Sequence, residues 1–267
     1  MKISYLMYDP VPRLTDLDRI MAGVAALGYH GIELVATHPL GYAIEEVVAL
    51  SEKHQLPVVS LLSGWSYANE GLCLSSPNAD VRAKAVERIG EYAAHAARLG
   101  KIVVVGLMQG LRSDEPDEET ANTRIADGLR QAARAAEALG VTLVLEPVNH
   151  QQVGFNHTAA EAAAMVRRGA SPALSYMLDT IHMNIEERSV LQTIRDHGPR
   201  IRHFHLCETN GGPFGTGNLD FNSVLAALRE CGYNHFVSVK IYRKATWQEA
   251  ARSAAAFLKQ HGVRFLN

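Results

Sequence analysis

The chain has 267 residues, enough to bury a substantial core in one large domain or two small ones. Charged residues make up 20% and nearly balance at a net charge of −2, so no basic field exists to hold a nucleic-acid backbone or an anionic membrane. The three cysteines lack a CxxC spacing, which excludes a zinc ribbon and is typical of a reducing compartment. No signal peptide or membrane span is recognisable, and a cytoplasmic location is therefore predicted.

Eight β-rich runs alternate with Ala-rich amphipathic segments from one end of the chain to the other. Each run is short and rich in β-branched or aromatic residues, which is typical of buried strands. The runs are 3–8, 31–36, 57–64, 101–108, 142–148, 175–183, 201–208 and 236–242.

The segments between the runs carry helix signals. In "SPNADVRAKAVERIGEYAAHAARLG", Pro77 and Asn78 suit a helix start and Gly100 a C-terminal stop. Strict alternation of strand and helix favours parallel pairing, and 267 residues over eight units predict a single (β/α)8 TIM barrel spanning 1–267. An open doubly wound sheet is the alternative, but no Gly-rich phosphate loop follows the first strand.

Four charged or imidazole side chains fall late in the last four apolar strands. Glu146 ends "TLVLE", Asp179 ends "SYMLD", His205 follows "IRHF" and Lys240 ends "FVSVK". Because a barrel collects its active site at the C-terminal ends of the strands, we expect these side chains to surround one mouth.

Two carboxylates and an imidazole that meet there would suit a divalent cation, namely Mn²⁺, Mg²⁺, Co²⁺ or Zn²⁺. The competing interpretation is that each residue caps a helix or pairs with a surface arginine. Three such residues on successive strands make that interpretation the weaker one, since buried unpaired charge is expensive.

Several motifs resemble the sugar isomerase/epimerase superfamily with the xylose isomerase-like TIM barrel, and within it the ketose 3-epimerases. They are "LVLEPVNH", "FNHTAAEA", "MLDTIHMNIEE" and "RHFHLCETNGGPFGTGNLDF". The resemblance implies that Glu146, Asp179 and His205 bind Mn²⁺ or a similar ion and that His182 contacts the oxygens of a sugar. It also implies a pair of glutamates that move a proton on opposite faces of the substrate carbon.

Three positions depart from the family pattern. Lys240 stands where the family has the second glutamate, Gly211 follows Asn210 where an arginine is usual, and Gln152 replaces an acidic residue. The scaffold is thus retained, while one catalytic carboxylate and the substrate contacts differ.

Lys240 has three possible roles. It could act opposite Glu146 as a catalytic acid, its pKa lowered by a bound dication. It could instead take the place of the ion by pairing with Glu146 and Asp179, or form a Schiff base, which would leave the metal-site residues unexplained.

Further candidates for sugar binding lie around the predicted mouth. Glu33 ends strand 2 and either reaches the mouth or forms a structural ion pair. Trp65 follows strand 3 and could form an aromatic wall, and Glu208 lies in the "HLCETNGG" motif. His203 is expected to lie deeper than His205, as a supporting residue.

The sequence therefore predicts a cytoplasmic, divalent-metal-dependent isomerase or epimerase of a sugar or keto-sugar, with Mn²⁺ the preferred ion. A lyase or dehydratase acting on a keto-sugar and a non-catalytic sugar-binding relative are the alternatives. We expect a homo-oligomer with a small-molecule sugar as substrate and without nucleic-acid or membrane partners.

Overall fold

Eight parallel strands close into a barrel in chain order, with β1 paired to both β2 and β8. The structure is a computed structural model that describes residues 1–244 and 246–266. It confirms the predicted single (β/α)8 TIM barrel. The strands are β1 (Lys2–Met7), β2 (Gly31–Val35), β3 (Val58–Leu62), β4 (Ile102–Val105), β5 (Thr142–Leu145), β6 (Leu174–Asp179), β7 (His203–Cys207) and β8 (Phe236–Lys240).

The helices surround the barrel, and several begin at residues whose side chains accept a backbone N–H, such as Asn78, Asp117 and Thr158. In the described ranges no helix combines the length and apolarity needed to cross a membrane. The helices are α1 (Leu14–Ala26), α2 (Ile44–Lys53), α3 (Gly64–Glu70), α4 (Ala79–Ala97), α5 (Glu118–Ala138), α6 (Ala159–Gly169), α7 (Thr180–Glu186), α8 (Val190–His197), α9 (Phe221–Glu230) and α10 (Trp247–Gln260).

Each of the eight predicted runs extends past the end of its observed strand, and two examples show the cause. The run 101–108 stops at Val105 because a 3₁₀ turn begins at Leu107. The run 175–183 stops at Asp179, whose side chain accepts the Ile181 N–H at 3.0 Å and so caps α7. A carboxylate that ends a strand and begins a helix is thereby fixed at the barrel mouth.

The interior of the barrel contains a buried polar layer as well as apolar side chains. Ser4 and Ser238 face each other with their hydroxyl oxygens 2.7 Å apart, and Glu33 and His203 are fully buried beside them. Buried polar groups need partners, so this layer constrains the side chains that lie above it.

Alanine substitutions at two glycines, one within α4 and one just after it, are expected to change the free energy of unfolding in opposite directions. A Cβ at Gly100 would overlap the backbone of Val59, whereas a Cβ at Gly90, within α4, meets nothing within 4 Å. We expect Gly100→Ala to lower the free energy of unfolding by about 1–3 kcal/mol. Gly90→Ala should raise it by about 0.5–1 kcal/mol through helix propensity. Urea unfolding of both variants checks this, and equal effects would contradict the packing described here.

Candidate active site

A cavity of about 220 Å³ opens at the C-terminal mouth of the barrel. Among the residues predicted for the site, Trp65, Glu146, Gln152, His182 and Lys240 line it. Most of the remaining wall is apolar and includes Tyr8, Val35, Leu62, Leu107 and Val148. The predicted aromatic wall at Trp65 is thus part of a mixed pocket with a small polar floor.

Glu146, Asp179 and His205 meet at that floor. The Nδ1 atom of His205 lies 3.4 Å from Glu146 Oε1 and 3.4 Å from Asp179 Oδ2. Asp179 and His205 are fully buried, and Glu146 is 7% exposed. Glu146 Oε1 and His205 Nδ1 are buried without a hydrogen-bond partner among the described residues, although most buried polar atoms in proteins have one.

The position of Glu146 is fixed through its backbone. Its N–H donates to the Val105 carbonyl at 3.0 Å, and its own carbonyl accepts from the Gln109 side-chain amide at 3.0 Å. Gln109 is fully buried and also accepts from Asn156 at 3.0 Å. Sequence reasoning missed Gln109, for which the only signal is a polar residue directly after an apolar strand.

Glu33 lies inside the barrel and does not line the cavity. Its carboxylate contacts His203 Nε2 at 3.0 Å and His205 Nε2 at 3.1 Å. The ion-pair alternative therefore describes its position, whereas a direct contact with a sugar has no support from the geometry. His203 lies in this deeper layer as expected, and its Nε2 also contacts the Ser238 hydroxyl at 3.2 Å.

The contact between Glu33 and His205 determines which ring nitrogen of His205 carries the proton and which one can bind a cation. When Nε2–H donates to the Glu33 carboxylate, Nδ1 faces Glu146 and Asp179. Burial disfavours the imidazolium, but the surrounding carboxylates outweigh burial and raise the pKa of His205 well above its usual value. The two carboxylates at 3.4 Å would stabilise a cation bound at Nδ1, either a proton or a metal ion. Carboxylate–histidine–metal arrangements have this form.

Lys240 reaches the same floor from β8. Its Nζ donates to Asp179 Oδ2 at 2.6 Å and lies 3.9 Å from Glu146 Oε1. The strand register places Lys240 opposite Cys207, two residues beyond Ser238, which is the partner of His205. Lys240 thus starts from a higher level of the barrel than His205.

The two carboxylates stabilise the protonated, positively charged form of Lys240. Burial would lower its pKa, but Asp179 and Glu146 outweigh burial and raise it. In turn, the ammonium and the nearby imidazoles outweigh burial and lower the pKa of both carboxyl groups. The sequence-based prediction that the pKa of Lys240 is lowered would hold only with a dication bound to Asp179 and Glu146, because the ion would then neutralise the carboxylates that now stabilise the ammonium.

His182 lies at the edge of the floor, on α7. The Asn149 amide contacts its Nδ1 at 2.8 Å, which places the ring proton on Nε2, 3.7 Å from Glu146 Oε1. Burial and the Lys240 ammonium lower the pKa of His182, which favours the neutral ring. It can donate a hydrogen bond into the cavity.

Glu208 does not line the cavity and instead organises the loop after β7. Its carboxylate accepts the backbone N–H groups of Thr209, Gly215 and Leu219 at 2.9–3.0 Å. Gly211 in this loop has a φ of +71° and packs against the Tyr242 ring, where a larger side chain has no room. Tyr242 thus fills the space beside Gly211, where the resemblance to the ketose 3-epimerases implies an arginine.

The arrangement fits a divalent cation at the floor. Glu33, Glu146, Asp179, His205 and Lys240 form one connected group of side chains. When the imidazoles are neutral, its three carboxylates and one ammonium give a net charge of −2. Ligand atoms about 2.1 Å from one ion lie roughly 3.0–3.4 Å apart, which matches the two 3.4 Å separations at His205 Nδ1. Two carboxylate oxygens and an imidazole nitrogen are also a donor set that such ions accept.

A closed parallel barrel with its polar cluster under a pocket at the C-terminal mouth has the layout of barrel enzymes. Residues 21–261 match the xylose isomerase-like TIM barrel family, and the chain belongs to that family. The resemblance seen in the sequence motifs is thereby confirmed.

Three similar proteins illustrate this relationship. An L-ribulose 3-epimerase of Mesorhizobium japonicum is 36% identical over 163 residues, which cover 60% of this chain and 54% of that protein. A D-psicose 3-epimerase of Agrobacterium fabrum is 30% identical, covering 83% of this chain and 78% of that protein. A solved structure of L-ribulose 3-epimerase has a TM-score of 0.85 at 27% identity, covering 97% and 94% of the two chains.

Proposed function

We propose that this protein is a divalent-metal-dependent isomerase or epimerase that moves a proton next to the carbonyl of a keto-sugar. The observation that carries the proposal is the buried group of Glu146, Asp179 and His205, whose charges and unpaired atoms call for a cation beneath a sugar-sized cavity. Similar curated proteins are ketose 3-epimerases, which supports the same chemistry.

Glu146, Asp179 and His205 would hold the ion, and Glu33 would orient His205. Manganese is the proposed ion because two carboxylates and one imidazole suit a hard to borderline cation. When bound, it supplies a Lewis acid that polarises the substrate carbonyl.

The protein side chains carry the proton. The Glu146 carboxylate, exposed to the cavity, takes a proton from the carbon next to the carbonyl. Lys240, with Nζ 3.9 Å from Glu146 Oε1, donates a proton at a neighbouring substrate atom. A proton delivered to the other face of the same carbon gives an epimer. A proton delivered to the former carbonyl carbon, with the hydroxyl proton passing to the carbonyl oxygen, gives an isomer. Glu146 then loses its proton to solvent and Lys240 regains one, so the mass of the sugar is unchanged.

The remaining polar groups would orient the substrate. His182 donates from Nε2 to a sugar oxygen, Gln152 offers its amide from the cavity wall, and the Trp65 ring covers an apolar face of the sugar. We further propose that the protein is a homo-oligomer. We also propose a cytoplasmic location, because Cys73, Cys207 and Cys231 are free thiols, as is usual in a reducing compartment.

Metal analysis combined with isotope exchange tests the proposal. We expect about one bound Mn²⁺ per chain after reconstitution. In D₂O, a panel of keto-sugars should yield products one mass unit heavier, and removal of the ion with EDTA should abolish this exchange. Loss of water from the substrate would instead identify a dehydratase. A protein that binds sugars without an ion and without exchange would be a non-catalytic relative, and the proposal would fail.

A further inference from the structure

Lys240 has unused hydrogen-bonding capacity that faces the cavity. An ammonium carries three N–H donors, and the one hydrogen bond of Lys240 within the described ranges goes to Asp179. The 3.9 Å separation from Glu146 Oε1 is too long for a second. Because the side chain lines the cavity and is 6% exposed, the free donors are available to a bound molecule.

The charge of the site points to the kind of group these donors accept. Among the described residues that line the cavity, Glu146 and Lys240 are the charged ones. With the proposed dication, the connected group of three carboxylates and one lysine is neutral. A glutamate at position 240 would leave it at −2, which would repel an anion. Lysine therefore makes this site two charge units more favourable to an anionic substrate.

The distance between the two charged groups limits where the anionic group sits on the substrate. Lys240 Nζ and Glu146 Oε1 are 3.9 Å apart. If Glu146 contacts the hydrogen that it removes, a group bound to Lys240 lies within two or three bonds of that carbon. A carboxylate joined directly to the carbonyl carbon satisfies this spacing.

We propose that the substrate is a 2-keto sugar acid whose C1 carboxylate accepts one N–H of Lys240 while Glu146 acts at C3. The third N–H of the ammonium stays available for the proton that Lys240 donates. This inference rests on the proposed function and specifies its substrate class. His182 and Gln152 then serve the hydroxyl groups, and the apolar wall around Trp65 and Leu107 covers the distal carbons.

A matched pair of ligands tests the inference without relying on turnover. 2-Keto-D-gluconate and D-fructose differ at C1 alone, where one has a carboxylate and the other a hydroxymethyl group. In calorimetry with the Mn²⁺-loaded protein we expect the acid to bind about 10- to 100-fold more tightly, the range for a hydrogen bond to a charged group.

Variants show whether the preference for the acid comes from Lys240 or from chelation of its carboxylate by the metal ion. Lys240→Met should lose most of the preference, whereas Lys84→Met, which removes an exposed lysine on α4, should keep it. A preference that survives in Lys240→Met would assign it to the metal, and equal binding of both ligands by the wild type would also overturn the inference. The wild-type comparison stands even if Lys240→Met fails to fold.

Isotope exchange distinguishes failure of this inference from failure of the proposed function. Exchange that is faster with D-fructose than with the keto acid would leave the function standing and refute the substrate class. An absence of exchange with the two ligands and with the keto-sugar panel would refute the function itself.

Discussion

Replacing Glu146 with glutamine is expected to lower the rate of substrate proton exchange by about 10²- to 10⁴-fold, the usual contribution of a general base. Glutamine keeps an oxygen at this position but cannot accept the proton. The measurement is deuterium incorporation by the Mn²⁺-loaded variant, with its metal content determined in the same sample. That second reading separates loss of the base from loss of the ion.

Glu186→Gln is the matched control for this variant. Glu186 lies near the mouth, but its carboxylate accepts from His150 and does not line the cavity. The control should exchange at close to the wild-type rate. Exchange that persists at the wild-type rate in Glu146→Gln with a full complement of metal would contradict the assignment of Glu146 as the base.

The second large effect is expected on the stability of the metal-free protein. Removing Lys240 as Lys240→Met leaves the fully buried Asp179 carboxylate without its 2.6 Å partner. Breaking a buried ion pair from one side costs about 3–5 kcal/mol. We therefore expect the free energy of unfolding in EDTA to fall by that amount.

Mn²⁺ should restore most of this loss, because a bound ion gives Asp179 another cation and binds only the folded chain. Urea unfolding with and without the ion makes the comparison, with Lys84→Met as the variant of equal charge change. A Lys240→Met protein as stable as the wild type in EDTA would mean that the lysine does not neutralise this cluster.

The barrel could be predicted from the sequence because each of its units repeats the same local signals. Asn78 caps α4, and Gly100 precedes β4 where an added side chain would overlap β3. Strand ends were less predictable, since the runs 101–108 and 175–183 stay apolar beyond the residues at which the backbone turns into a helix.

The meeting of Glu146, Asp179 and His205 was predictable because C-terminal strand ends in a barrel share one rim. The depth of Glu33 was not, since depth depends on strand register across the barrel, where Glu33 pairs with Leu6 and Ser60. The position of Glu208 depends on a loop that folds back on its carboxylate, and sequence spacing does not reveal such a fold.

Anomalous diffraction at the manganese edge from crystals soaked in Mn²⁺ tests the central claim most directly. We predict one peak at the floor of the mouth, bonded to a carboxylate oxygen of Glu146, a carboxylate oxygen of Asp179 and Nδ1 of His205. Electron density for the Lys240 ammonium among these three atoms, without a manganese peak, would contradict the account.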